Sequence, residues 1–236
     1  MKILILGATG ILGSSVINIF AEDKSFNIFG TVRNGSQSEN FDLNLRGNLF
    51  EIVDANDSDS IKNLLHQIEP EVMINCLSLS SESLKQGADS IFDIYSKLPH
   101  KLSKICEENH IRFINISSDG VFSGKKGNYR ESDTPDPLDR YGISKMQGEV
   151  SGTHSINIRT SFFGHSISRD YGLLDWFLSQ EEKCFGYSEY RFSGIPAIML
   201  ARIIKDYVIP NNELNGTYHI GGPPITKYEL FKLIAS

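Results

Sequence analysis

Gly7-Ala8-Thr9-Gly10-Ile11-Leu12-Gly13 follows directly on the apolar run Lys2 to Leu6 (KILIL) and opens a segment of helical periodicity, Ile11 to Ala21. A strand that enters a helix through three glycines at this spacing leaves few folds open. The first glycine permits a tight turn, the second admits a ligand close to the backbone, and the third lets helix and strand pack closely. The first turn of the helix then offers N–H groups and a positive dipole end to an anion. The spacing is GxxGxxG rather than GxGxxG. Gly7, Gly10 and Gly13 are therefore expected to cradle the pyrophosphate of a dinucleotide.

A strand that is apolar at every position is buried on both faces, which is the condition of a parallel sheet covered by helices. The pattern continues that way. Strands are expected at Asn27 to Val32, Leu49 to Val53, Val72 to Cys76 and Ile111 to Ile116. Helices are expected at Ser58 to Ile68 and roughly Ile91 to Asn109. Right-handed crossovers between such units give an α/β, Rossmann-type doubly wound parallel sheet. Gly120 to Pro137 reads as a long loop, followed by a helix near Arg140 to Val150 and a strand near Ile156 to Arg159. Beyond Thr160 the order loosens: a helix at Leu173 to Gln180, a short strand near Phe185, a helix at Ala197 to Tyr207 and a strand at Tyr218 to Ile220. The expected division is a dinucleotide-binding domain over 1–160 and a small substrate-binding lobe over 161–236, interleaved with the sheet.

The end of the second strand discriminates between nicotinamide cofactors, because a carboxylate there binds a ribose 2′-hydroxyl and a cation binds a 2′-phosphate. Here it reads Thr31-Val32-Arg33-Asn34, with no carboxylate along the chain until Glu39. Arg33 therefore points to NADP(H). Asp54 follows the third strand and is placed either to bind the adenine amino group or to cap the next helix with Asp57 or Ser58.

Tyr141-Gly142-Ile143-Ser144-Lys145 puts a phenol and an ammonium four residues apart on one helix face. The ammonium stabilises a tyrosinate, bringing the phenol from its reference pKa of about 10 toward an acid–base range. Ser118, just past the Ile111 to Ile116 strand, is placed to hydrogen-bond a carbonyl oxygen as charge develops on it. The spacing occurs a second time at Tyr228 and Lys232, without an upstream strand-end serine, and there reads as a helix face.

Taken in order, GATGILG, ISSDGVFSG, YRESDTPDPLDRYGISKMQGE and NIRTSFFG resemble the extended short-chain dehydrogenase/reductases, and among them the dTDP-4-dehydrorhamnose reductases. The resemblance implies Ser118, Tyr141 and Lys145 as the catalytic set, with Tyr141 and Lys145 also touching the cofactor. It adds Thr9, Ile11, Leu12, Cys76, Leu77 and Ser78 to the cofactor wall. Substrate contacts are expected from Ser118, Asp119, Arg159 and Phe162. The implied reaction is NADPH-dependent reduction of a nucleoside-diphospho-4-keto-6-deoxy sugar in deoxysugar and polysaccharide biosynthesis, by a cytoplasmic protein for which a homodimer is expected. Three positions depart from the family: Gly120 stands where an aromatic residue is usual, Phe162 where tryptophan is usual, and Asn75-Cys76-Leu77 where Asn-Ala-Ala is usual. The first two alter the expected sugar pocket. The chain also reads as shortened at its carboxy-terminal end. Two other functions fit the same fold: a cofactor-retaining epimerase or dehydratase, with Asp119 as its acid, and a non-catalytic dinucleotide-binding regulatory subunit like that of methionine adenosyltransferase.

Other classes are disfavoured. A net charge of -6 does not suit a nucleic-acid backbone or an anionic membrane. No apolar stretch approaches membrane-spanning length, and the run Ile3 to Leu6 is too short for a secretory signal. The three cysteines, Cys76, Cys106 and Cys184, have neither zinc nor redox spacing and read as reduced thiols. The six histidines suggest no metal site. Arg159 and His165 flank the RTSFFG segment, where packing competes with a ligand role, and Trp176 reads as core.

Overall fold

The computed structural model describes residues 1–52, 54–79, 88–167 and 172–235. Seven strands form one sheet: β1 (Lys2–Leu6), β2 (Asn27–Val32), β3 (Leu49–Glu51), β4 (Val72–Asn75), β5 (Arg112–Ile116), β6 (Ser155–Thr160) and β10 (Gly216–Ile220). Their order is β10-β6-β5-β4-β1-β2-β3, and every pairing is parallel. The short strands β7 (Phe162–Phe163) and β9 (Ile195–Pro196) pair with each other, as do β8 (Arg191–Phe192) and β11 (Ile225–Thr226). This is the expected doubly wound α/β sheet.

Period-two alternation in β1 explains its apolar sequence. Ile3 and Ile5 enter one core with Val16, Ile17 and Phe20 of α1 (Ile11–Ala21). Leu4 and Leu6 enter the other core, with Leu64 and Leu65 of the helix Ser58–Ile68 and Leu102 of the helix Leu98–Glu108. Each such side chain contributes roughly 1.5–3 kcal/mol by leaving water. The later chain joins the first core: Leu200 and Ala201 of the helix Ala197–Ile203 pack there, and β10 extends the sheet beside β6.

The chain winds from β1 out to β3, then crosses back to β4 on the other side of β1. A crevice opens at the carboxyl ends of β1 and β4, the topological switch point where open α/β sheets hold ligands.

Several boundaries moved. The helix expected over Ile91 to Asn109 is Ala88–Phe92, a π turn Asp93–Lys97 and Leu98–Glu108. Pro99 has no N–H to give the Tyr95 carbonyl, so the wider turn falls where the α ladder breaks. The helix Ala197–Ile203 likewise runs into a π turn, Ile204–Val208. No strand forms near Phe185; that side chain is 84% exposed, and the pairing segment is β8 instead. Trp176 is not core but half exposed, resting against Phe231. Asp57 caps the helix Ser58–Ile68, while Asp54 binds the backbone N–H of Asn56 at 2.8 Å. Val53, the last residue of the expected third strand, lies outside the described residues.

Candidate active site

The glycine turn has the geometry its spacing predicts. Gly7 adopts φ +80°, open to glycine at little cost, and a Cβ there would press on the Cys76 carbonyl at 3.0 Å. A Cβ on Gly13 would lie 2.1 Å from the Gly7 carbonyl oxygen, so the third glycine sets the helix–strand approach. Gly10 differs: a Cβ would meet nothing closer than 3.5 Å, which leaves its face open. Thr31 of β2 clamps the turn, its hydroxyl accepting from the Gly7 N–H at 3.1 Å. No side chain caps α1, so no side chain takes up its first N–H groups, the condition under which a helix amino terminus can meet an anion. These features fit a dinucleotide pyrophosphate.

A cleft of about 280 Å³ starts at this turn. Ile11 and Leu12 form one wall with Cys76, Leu77 and Ser78 past β4. Ser118, Asp119, Tyr141 and Lys145 form the facing wall, closed by Thr160, Ser161 and Phe162. The three residues expected to do chemistry, separated along the chain, thus share one cavity with the glycine turn.

Ser118 caps a 3-10 turn, Asp119–Val121, its Oγ accepting from the Gly120 N–H at 3.0 Å. The helix α6 (Arg140–Gln147, the sixth α-helix among the described residues) carries Tyr141 and Lys145 and is capped by Asp139, which accepts from the Gly142 N–H. Gly142 is a requirement the sequence reading missed. A Cβ there would stand 2.1 Å from the Gly120 carbonyl oxygen, so glycine lets the helix sit against the serine's turn.

Burial pushes the Tyr141 phenol above its usual value; the Ser118 hydroxyl hydrogen-bonded to it pulls the other way, and Asp119 and Asp139 add to the rise. Burial also pushes the Lys145 ammonium down to about 8, opposed by the nearby Cys76 thiol. Lys145 Nζ donates to the Ile116 carbonyl at 2.9 Å and lies 4.4 Å from the ring centroid of Tyr95. Tyr95 also lines the cleft and meets the Tyr141 ring edge-on at 5.4 Å. Nothing in the local sequence links Tyr95 to that pair.

Not every expected residue reaches the cleft. Arg159 is 7% exposed and its guanidinium is committed to Glu149 by a two-pronged ion pair at 2.7 and 2.8 Å. That pairing and a stack on Phe122 engage its charge, and Arg159 is not among the residues that line the cleft. Glu149 also accepts from the Ser117 hydroxyl at 2.8 Å, so the pair supports the cleft from behind. His165 Nδ1 pairs with the Asp175 carboxylate at 2.8 Å. Arg33 is exposed at the end of β2 and Asp54 is exposed past β3, both beyond the lined cavity. Across the sheet, Glu51 at the end of β3 brings a carboxylate to this corner and accepts from the Gly35 N–H at 2.9 Å. Glu51 lies on the neighbouring strand, opposite Val32, so its place at the tip of β2 does not show along the chain. Among the described residues no His/Cys/Asp/Glu group has metal-site geometry. No described helix is long and apolar enough to cross a membrane.

Parallel sheet, glycine turn and shared cleft define a Rossmann-type fold of the nicotinamide-dinucleotide-binding kind. The family described as RmlD substrate binding domain matches residues 1–172, and the chain belongs to that family. It is 30% identical over 151 residues to the probable low-salt glycan biosynthesis reductase Agl14 of Haloferax volcanii, covering 63% of this chain and 48% of that protein. It is 31% identical over 258 residues to methionine adenosyltransferase 2 subunit beta of Mus musculus, covering 99% of this chain and 71% of that one. This chain thus spans about half the length of the Haloferax relative. A solved structure described as a hypothetical dTDP-4-dehydrorhamnose reductase from Sulfolobus tokodaii matches at TM-score 0.80 and 24% identity, over 99% of this chain and 81% of that one. The dTDP-4-dehydrorhamnose reductase of Bacillus anthracis, solved with NADP, matches at TM-score 0.75 and 21% identity, over 99% and 79%.

Proposed function

We propose that the protein reduces the keto group of a nucleotide-linked 4-keto-6-deoxy sugar, with NADPH as the reductant. The observation that carries this reading is the convergence of Ser118, Tyr141 and Lys145 on a cleft that begins at an uncapped helix amino terminus. A nicotinamide dinucleotide bound there supplies a hydride for the carbonyl carbon. Gly7, Thr9, Gly10, Ile11, Leu12 and Gly13 bind its phosphates, and Cys76, Leu77 and Ser78 flank it. The Ser118 hydroxyl donates to the carbonyl oxygen as negative charge grows there. Tyr141 delivers its proton to the same oxygen. Lys145, held in place by the Ile116 carbonyl, offsets the tyrosinate charge left behind. Asp119 and Phe162 border the sugar, Asp54 reaches the adenine, and Arg33 takes the 2′-phosphate.

The test follows NADPH and NADH oxidation in parallel with a panel of nucleotide-linked keto-sugars. NADPH oxidation with at least one sugar is expected, and none with any sugar would remove the proposal. Tyr141→Phe should cost about 10²–10⁴ in kcat while leaving NADPH affinity nearly unchanged. Arg33→Ala should raise the KM for NADPH about tenfold or more, with NADH unaffected.

A second reading has one observation in its favour: the match to the mouse adenosyltransferase subunit runs across nearly the whole chain. In that reading the protein binds a dinucleotide as part of a larger enzyme. Recovery of a stoichiometric enzyme partner, together with inactivity on the sugar panel, would select it.

A further inference from the structure

We propose that Tyr95 is a positioning residue: its ring face holds the Lys145 ammonium, and its hydroxyl anchors the Leu77 to Leu79 wall of the cofactor cleft. The inference rests on the reading of Tyr141 and Lys145 as the reacting pair.

Three contacts meet in this one side chain. An ammonium has three donors, and the Ile116 carbonyl occupies one at 2.9 Å. Tyr95 presents its ring to the same ammonium, 4.4 Å from the centroid, well inside cation–π range. The Tyr141 ring meets Tyr95 at 89° and 5.4 Å, so the same side chain also packs against the phenol's ring. On its far side the Tyr95 hydroxyl accepts from the Leu79 N–H at 2.7 Å. Tyr95 is itself 5% exposed.

Its backbone is as confined as its ring. Pro99 cannot donate to the Tyr95 carbonyl, and the π turn places that carbonyl against Gly148, just past Gln147. A Cβ on Gly148 would stand 1.8 Å from it, so the end of the Tyr141–Lys145 helix rests directly on the Tyr95 backbone. The groups facing Lys145 are the Cys76 thiol past β4, the Ile116 carbonyl of β5 and the Tyr95 ring from the π turn. Asp119 and Asp139 face Tyr141. Burial pushes the Cys76 thiol up to about 12, and the Ile116 carbonyl and the Tyr95 ring face are the electron-rich groups against the ammonium.

Tyr95→Phe and its trifluoro and pentafluoro counterparts keep the ring's shape while progressively cancelling its negative face, so folding is spared. Lys145 is followed by the pH titration of its ε-methylene NMR signal, and NADPH affinity by direct binding. The Phe ring should leave the Lys145 midpoint in place, and the pentafluoro ring should lower it by about one unit. A midpoint that stays fixed or rises across the series overturns the ring's role. Tyr95→Phe should weaken NADPH binding about three- to tenfold through the lost Leu79 anchor, and unchanged affinity overturns the hydroxyl's role. Lys145→Met serves as the separate control. If that variant turns over normally, the catalytic reading fails while the titration still judges Tyr95. If it is inactive and the series leaves the midpoint fixed, the positioning role fails alone.

Discussion

Lys145 carries a pH signature that belongs to the single residue. Its folded pKa of about 8 lies below the ordinary lysine value of 10.5, so between those values the unfolded chain binds more protons than the folded one. Stability therefore gains from Lys145 as pH rises through that window, and the burial penalty is at its full size below pH 8. The thiols of Cys76 and Cys106, pushed up to about 12 by burial, act oppositely. Their contribution is present below pH 9 and is lost as pH rises toward 12. Comparing the protein with Lys145→Met isolates the lysine. The Tm difference between the two, measured from pH 7 to 10, should move in favour of the native lysine by the equivalent of roughly 2–3 kcal/mol. A difference that does not change with pH would mean that Lys145 is not held in a desolvated site.

At the scale of elements, chemistry depends on where α6 docks. Gly142 and Gly148 bring its two ends onto the Gly120 and Tyr95 carbonyls, and neither contact leaves room for a methyl group. Gly142→Ala is a favourable change by helix propensity, worth up to about 1 kcal/mol in isolation. Docked, it must push the helix off the Ser118 turn and carry Tyr141 with it. The proposed keto-sugar reduction should slow about tenfold or more, the scale on which an ångström of misplacement acts, with helix content by circular dichroism unchanged. Full activity in Gly142→Ala would show that the helix has slack at this point. The helix itself was legible in sequence, from Tyr141, Lys145 and the loop before them. The contact was not, because a glycine inside YGISK reveals nothing about which distant carbonyl it faces.

Over the whole molecule, a row of buried asparagines joins the strands that flank the site. Asn75, Asn115 and Asn157 stand opposite one another on β4, β5 and β6, bonded side chain to side chain at 3.0 and 3.1 Å, with Thr217 of β10 completing the row. The row also holds the turn after α6, through the Gly148 carbonyl and both backbone groups of Val150. Asn115→Leu would strand partners on both sides, at a cost of about 2–4 kcal/mol. Thermal unfolding should drop by about 4–12 °C, as one cooperative transition, because the row spans the sheet. A separate early transition would show that β6 and β10 unfold independently of β1 to β5.

What the sequence determined by itself is local. Strand and helix periods, the three glycines in their strand-to-helix setting, and the Tyr141–Lys145 spacing act over a few residues, so composition and order were enough to read them. The isolated Asn in each of VMIN, RFINI and SINIRT was visible too, though its meaning needed the register. Only the tertiary structure decided that Arg159 spends its charge on Glu149, that Glu51 reaches the tip of β2, and that Tyr95 lies between Lys145 and the cofactor wall. Each of these contacts joins elements far apart in the chain. Burial, pairing and ring placement there are set by how sheet and helices pack, which no short stretch of sequence encodes.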